Sequence, residues 1–309
     1  MHRLLRRLIA GLTLVSLTGL DAATPARPVK LDQAAADAVI REIQKDRADT
    51  ENWLRSEPTS YLATIDRKDF GGRTTLTIGR AGDNDVRIDD PEIAAHHLRV
   101  TVTGDRFRVQ GIDGDARVKV GDRERRDATL GPSYLQIGRF TLRLSHQRFP
   151  AIIVFDPKSP RFKEYKGLKY FDVDLSWRYE LPLTPNPRPE TIVILSTIGH
   201  PRRAQRVGWF DFMIGETAYR LEAMRLLEPG VGENALSVIF RDATSGTETY
   251  PLGRYLDPEK LPTGLYLLDF NAAYNPACAF SVHYNCPIPP KENTLPVAIR
   301  AGEIDAHYH

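Results

Sequence analysis

From Tyr61 onward the chain offers short runs of β-branched and aromatic residues, broken every few positions by Gly, Pro, Asn or Asp. No helix-period stretch interrupts them, so the apolar residues can be buried only by pairing strands into sheets. Residues 151–155 form an apolar run that ends in Asp156-Pro157, and 191–195 read as a buried strand. Residues 208–223 alternate, with Trp209, Phe212, Ile214, Tyr219 and Leu221 on either side of Gly215-Glu216, which predicts a hairpin. Residues 235–241 supply a further strand. Pro182, Pro185, Pro187 and Pro189 make a stiff connector. The one exception precedes Tyr61. Residues 31–54 place Ala35, Val39, Ile43, Trp53 and Leu54 near one face among charged residues, an amphipathic helix that Pro58 stops.

The first residues carry the parts of an export signal. Arg3, Arg6 and Arg7 precede an apolar run over 8–20, and Asp21-Ala22-Ala23 offers small residues for cleavage. The run is shorter than the roughly 20 residues that span a bilayer, so no anchor is expected to remain after cleavage. The expected location is the periplasm or the exterior. The net charge of +2 comes from this segment; the remainder is neutral. Such a chain presents no polybasic face for nucleic acid or anionic membrane. At 309 residues with 41% hydrophobic content, two domains can each bury a core.

In an oxidising compartment the only two cysteines, Cys278 and Cys286, most simply form a disulfide. Its small ring would stabilise by roughly 2–3 kcal/mol. A metal site of Cys278, His283 and Cys286 would need a fourth ligand that the segment does not supply, so neither metal nor cofactor is expected.

Two stretches carry resemblances. Residues 74–144 hold Gly79-Arg80, Asn84-Asp85 and His97 among short alternating strands, and resemble a forkhead-associated domain, a small β-sandwich that binds phosphothreonine peptides. Ala94 stands where that family keeps a phosphate-contacting serine, and Val120-Gly121 where it keeps an Asn-Gly turn. The resemblance therefore implies the fold with a scaffold or protein-contact role. Motifs in fixed order resemble the domain-of-unknown-function 1684 family. They are Trp53-Leu54, Asn84-Asp85-Val86, residues 167–171, 242–250 and 253–257, Leu268-Asp269-Phe270-Asn271, and the segment from Ala273 through both cysteines to Asn293, with Ile299 to Glu303. That resemblance implies an exported β-rich protein and no known activity.

The expected fold class is mainly β: an N-terminal helix, a forkhead-associated-like β-sandwich, then a second β-rich domain with a disulfide-stapled C-terminal loop. The expected divisions are 1–23 signal, 24–60 linker and helix, 61–149 sandwich, 150–303 second domain and 304–309 tail. Familiar catalytic signatures are missing, and whether the chain is an enzyme stays open. Arg254 is a fixed cation beside Asp242, Thr244, Ser245, Thr249 and Tyr250. Asp269, Asn271, Tyr274 and Asn275 offer a carboxylate, two amides and a phenol that could orient a sugar or peptide, with Asn293 beyond a rigid proline run. Both groups have a structural alternative, in which the same side chains close turns. The leading expectation is an exported envelope binding or interaction module, its partner an envelope component or a protein, with its site near the Cys278–Cys286 loop. The alternative is a hydrolase of an envelope polymer or peptide, with Asp269 and Glu292 as acid and base.

Overall fold

The computed structural model describes residues 24–146, 149–228, 231–305 and 307. The expected signal and part of the tail lie outside the described residues. Among the described residues no helix is long and apolar enough to cross a membrane.

Helix α1 (Gln33–Ser56) starts where Asp32 caps it, its carboxylate accepting the Ala35 N–H at 2.8 Å. It stops where Glu57 donates to the Trp53 carbonyl just before Pro58. Its buried residues, Ile43 and Leu54, lie on the expected face.

The first domain is a β-sandwich. Its strands are β1 (Thr64–Asp69), β2 (Thr75–Gly79), β3 (Val86–Arg87), β4 (Leu98–Thr103), β5 (Arg106–Gly111), β6 (Val118–Val120), β7 (Arg123–Arg125), β8 (Asp127–Leu130), β9 (Ser133–Ile137), β10 (Phe140–His146) and β11 (Pro150–Phe155). One sheet runs β3-β2-β4-β5-β8 and the other β1-β11-β10-β9-β6-β7. Alternate residues of both, including Leu76, Ile78, Val100, Phe107, Val109, Leu142 and Leu144, meet in one apolar core. Gly79 is required there, because a Cβ would lie 2.3 Å from the Ala95 carbonyl oxygen. Asn84 donates to the Ala81 and Ala95 carbonyls. His97 accepts from the Ala94 N–H and reaches the Arg117 carbonyl with its other ring nitrogen. These residues brace the loops at one end of the sandwich.

The second domain follows a short helix α2 (Arg161–Glu164). Its strands are β12 (Arg178–Leu181), β13 (Thr184–Pro185), β14 (Thr191–Ile194), β15 (Arg202–Ile214), β16 (Thr217–Leu226), β17 (Val238–Phe240), β18 (Arg254–Leu256), β19 (Glu259–Lys260) and β20 (Tyr266–Asp269). β15 and β16 are the predicted hairpin, turning at Gly215 with φ +59°. β13 and β14 pair with the other side of β15, β20 lies between β12 and β19, and β17 pairs β18. Tyr179, Phe210, Phe212, Leu221, Phe240, Leu268 and Phe270 form the core, with Phe270 edge-on to Tyr179 and Phe240. From Phe270 to Asp305 the chain has only single-turn 3₁₀ helices and isolated bridges.

One strand departs from expectation. Residues 191–194 do form a strand, but β14 is a sheet edge, and its outward face is uncovered. Ile194 is buried whereas Val193 and Leu195 are exposed. An unbroken apolar run reads as buried on both sides; here only one side meets the core.

Candidate functional site

The segment 270–305 has little sheet or helix to satisfy its peptide groups, so side chains must do so. Most of the predicted site residues turn out to serve that need. Arg254 is 1% exposed, and its guanidinium donates to the carbonyls of Ile299, Ala301 and Glu303 and to Asp242. Asp242 also accepts the Ile299 N–H at 2.6 Å and the hydroxyls of Thr244 and Ser245. Burial pulls the pKa of Arg254 down from its ordinary range despite that carboxylate. The pair clamps the C-terminal strap to β18, and a ligand would find only Nε without a partner.

Asp269, at the end of β20, binds Arg178 at 2.6 Å with one oxygen and the Asn271 N–H and side-chain amide with the other. Asn271 closes a two-bond bracket on the backbone of Asp174. Asn293 closes a three-bond bracket, accepting the Glu222 N–H at 2.7 Å and donating to the carbonyls of Glu222 and Ile239. Asn275 donates from its side chain to the Ile304 carbonyl and from its backbone to Glu303. Tyr274 donates to Asp257 at 3.0 Å, its ring edge-on to Tyr255. Glu292 is exposed in a single 3₁₀ turn, where its charge acts on Arg206 and Glu222. Among the described residues no hydrogen bond or ion pair links Asp269 and Glu292 to a common partner.

Glu303 was not anticipated as a site residue. It is buried on the strap, and burial raises its pKa to about 7 in spite of the Asn275 N–H, the Tyr170 hydroxyl and the nearby Arg254 and Arg47. The motif of residues 299–303 marked its position, but its place between a Gly and an Ile gave no signal that it is buried.

At the cysteine loop the expected disulfide is not shown. Cys278 and Cys286 are both buried free thiols within hydrogen-bonding reach of each other. The Cys278 N–H donates to Cys286 Sγ at 3.2 Å, and the Tyr250 hydroxyl to Cys278 Sγ at 3.6 Å. The side-chain hydrogen bond with Cys286, helped by that from Tyr250, lowers the Cys278 pKa against the effect of burial, while the same thiol pairing and burial raise that of Cys286. The loop also joins the two domains. Tyr284 bonds Thr64 at 2.7 Å, Arg67 reaches the His283 carbonyl, and Tyr61 packs on Phe280 and Tyr284. On its other flank Thr197 donates its N–H to the Cys286 carbonyl, and its hydroxyl bonds the Tyr284 carbonyl and accepts the Cys286 N–H. Ile288 donates to the Leu195 carbonyl. The loop thereby extends the outer edge of β14.

Beside it lies the surface that the sequence misread. Among the described residues five large apolar side chains are exposed, and four of them, Val193, Leu195, Ile198 and Val282, belong to β14, the turn after it and the cysteine loop.

A family model described as a protein of unknown function, DUF1684, matches residues 163–304, and the FHA (forkhead-associated) domain model matches residues 76–138. No curated protein matches the chain. Among solved structures, an uncharacterized protein of Haloarcula marismortui is 36% identical, covering 48% of this chain and 80% of its own, with a TM-score of 0.39. An FHA domain from a study of phosphothreonine-dependent interactions is 16% identical, covering 30% of this chain and 95% of its own, with a TM-score of 0.21. Mycobacterium tuberculosis EmbR, solved with a low-affinity phosphopeptide, is 18% identical over 41% of this chain and 32% of its own, with a TM-score of 0.21. With its FHA domain followed by the unassigned β-rich domain, the chain belongs to the DUF1684 family.

Proposed function

We propose that the protein is an exported interaction module of the cell envelope, which docks an extended segment of a partner protein on the open edge of β14. The clustering of Val193, Leu195, Ile198 and Val282 carries this reading. Scattered apolar residues on a surface need no explanation, but a group on an unpaired strand edge does. The contrast with β7 sharpens it: that sheet edge presents Arg123, Glu124 and Arg125, the charges that keep edges from pairing.

The edge defines its occupant. Arg206 donates to the Glu190 carbonyl, so even-numbered residues of β14 face β15 and the peptide groups of Thr191 and Val193 face outward. Cys286–Ile288, an extended proline-containing segment of the chain itself, already pairs with this edge at Leu195–Thr197. A partner strand would continue that pairing. Exposed Arg203 lies opposite Val193, so the segment that fits is apolar with a carboxylate.

The FHA domain serves as scaffold rather than as a phosphopeptide reader. Ala94 has no hydroxyl for a phosphate. Nearby, His96 is held between Asp83 and Asp113 at 3.1 and 3.6 Å, and those carboxylates would repel a dianion. The test is selection from a random peptide display library. Wild type should enrich extended apolar sequences with an acidic residue, and Leu195→Lys should lose at least about tenfold in affinity for them. Equal selection by both proteins, or enrichment of phosphothreonine peptides from a phosphorylated library, would overturn the reading.

A further inference from the structure

The cysteine pair is the chemistry nearest to the docking edge, and nothing in the strap or the clamps described above uses it. We propose that Cys278 and Cys286 are a redox modification site, oxidised to a disulfide that latches the Cys286–Ile288 segment onto the outer edge of β14. The proposal rests on the docking reading for its consequence, though not for the disulfide itself.

Three observations converge. The thiols are already in contact, with the Cys278 N–H on Cys286 Sγ. The segment carrying Cys286 is the one that occupies β14, through Thr197 to Cys286 and Ile288 to Leu195. The same loop contacts the FHA domain through Tyr284 and His283. A covalent bond between the two sulfurs therefore closes the base of a loop whose three flanks hold the edge strand, the α1–β1 turn and the sandwich. The side chains are each 6% exposed, so the bond forms before the loop closes over them or during its opening, and is shielded afterwards.

The reaction is thiol–disulfide exchange with a disulfide donor of the glutathione or dithiol-oxidoreductase class. The Cys278 thiolate, favoured by the Tyr250 and Cys286 hydrogen bonds, attacks one sulfur of the donor. The donor's other sulfur leaves as a thiolate and takes up a proton. The Cys286 thiolate then attacks Cys278 Sγ, forming the internal disulfide and expelling the second donor thiol. Two electrons and the two thiol protons pass from the pair to the donor.

Reduction has the opposite consequence. Freed of the bond, the Cys286–Ile288 strand is held by its few hydrogen bonds alone, and the edge lengthens from Thr191–Val193 toward Thr197 when it opens. The latch thus sets how much edge a partner strand can use.

The test uses the full mature chain, refolded in glutathione buffers and compared with the Cys278→Ser/Cys286→Ser double variant. Maleimide labelling after denaturation should show both thiols lost together in the monomer under oxidising buffer, and both recovered after reduction. Amide exchange of Thr197 and Ile288 should be at least about tenfold faster in the reduced protein and in the double variant than in the oxidised one, with Phe240 in the core unchanged. Thiols that stay free under oxidising buffer, or that form only intermolecular bonds, would overturn the disulfide. A disulfide that leaves Thr197 and Ile288 exchange unchanged would overturn the latch. Peptide binding at β14 that is indifferent to redox state would sink the latch and spare the docking reading. Absence of peptide binding in either state would sink the docking reading, with the disulfide still decided by the labelling.

Discussion

Replacing Asn293 by alanine should destabilise the second domain by about 3–5 kcal/mol. The carboxamide is fully buried and makes three hydrogen bonds, one from the Glu222 N–H and two to the carbonyls of Glu222 and Ile239. Those groups lie on β16 and β17, between which the described residues show the isolated Met224–Ser237 bridge just before β17 and no ladder, so Asn293 stands in for missing rungs between two strands. Alanine would leave one N–H and two carbonyls buried without partners. Each costs roughly 1–3 kcal/mol, and the total falls short of the sum because the groups are neighbours. Urea unfolding followed by tryptophan fluorescence reads the effect, since Trp177 and Trp209 both lie in the second domain. Asn293→Asp should be no better, because it keeps one acceptor while burying a charge and losing both donors. A loss below about 1 kcal/mol for Asn293→Ala, with the fold intact, would refute the bracket argument.

Arg254→Met should cost about 3–5 kcal/mol, because Asp242 would remain buried as an uncompensated anion; adding Asp242→Asn should recover part of the thermal shift. Glu303 has a raised folded pKa of about 7 against 4.5, so its contribution to stability is full below about pH 4.5 and is lost as pH rises through 7. Glu303→Gln should therefore flatten the pH dependence of unfolding, removing a decline of about 2–3 kcal/mol between pH 4.5 and 8; an unchanged slope would remove Glu303 from the account. Gly79→Ala should destabilise the FHA domain while leaving the second domain's unfolding transition in place, because the added methyl meets the Ala95 carbonyl at 2.3 Å. N-terminal sequencing of protein from the producing cell's envelope should begin near Thr24; a chain beginning at Met1 would contradict export.

The elements with local punctuation were legible in the sequence. Pro58 stops α1, Gly215 marks the hairpin, and Gly79, Asn84 and His97 mark the sandwich because each meets a backbone demand that few other residues satisfy. The polar residues of the C-terminal segment were legible as a group that differs from ordinary core, but not in their use. Asp269, Asn271, Asn293 and Arg254 suit ligand binding and backbone bracketing equally well in one dimension. What decides between the two is the absence of regular structure over 270–305, which leaves many peptide groups to satisfy and spends the side chains on them. β14 was misread for a related reason: an apolar run states what a strand can bury, and only the topology states what covers it. Glu303 had no local signature of its burial, which alone gives it its character.

The most direct measurement of the central claim is amide exchange of the oxidised protein with and without a peptide selected for binding. The account predicts slowed exchange confined to Thr191 and Val193 on the open edge of β14, lost in Leu195→Lys. Protection instead at Arg80 to Asn84 and His96, at the end of the FHA sandwich, or no protection anywhere on β14, would contradict it.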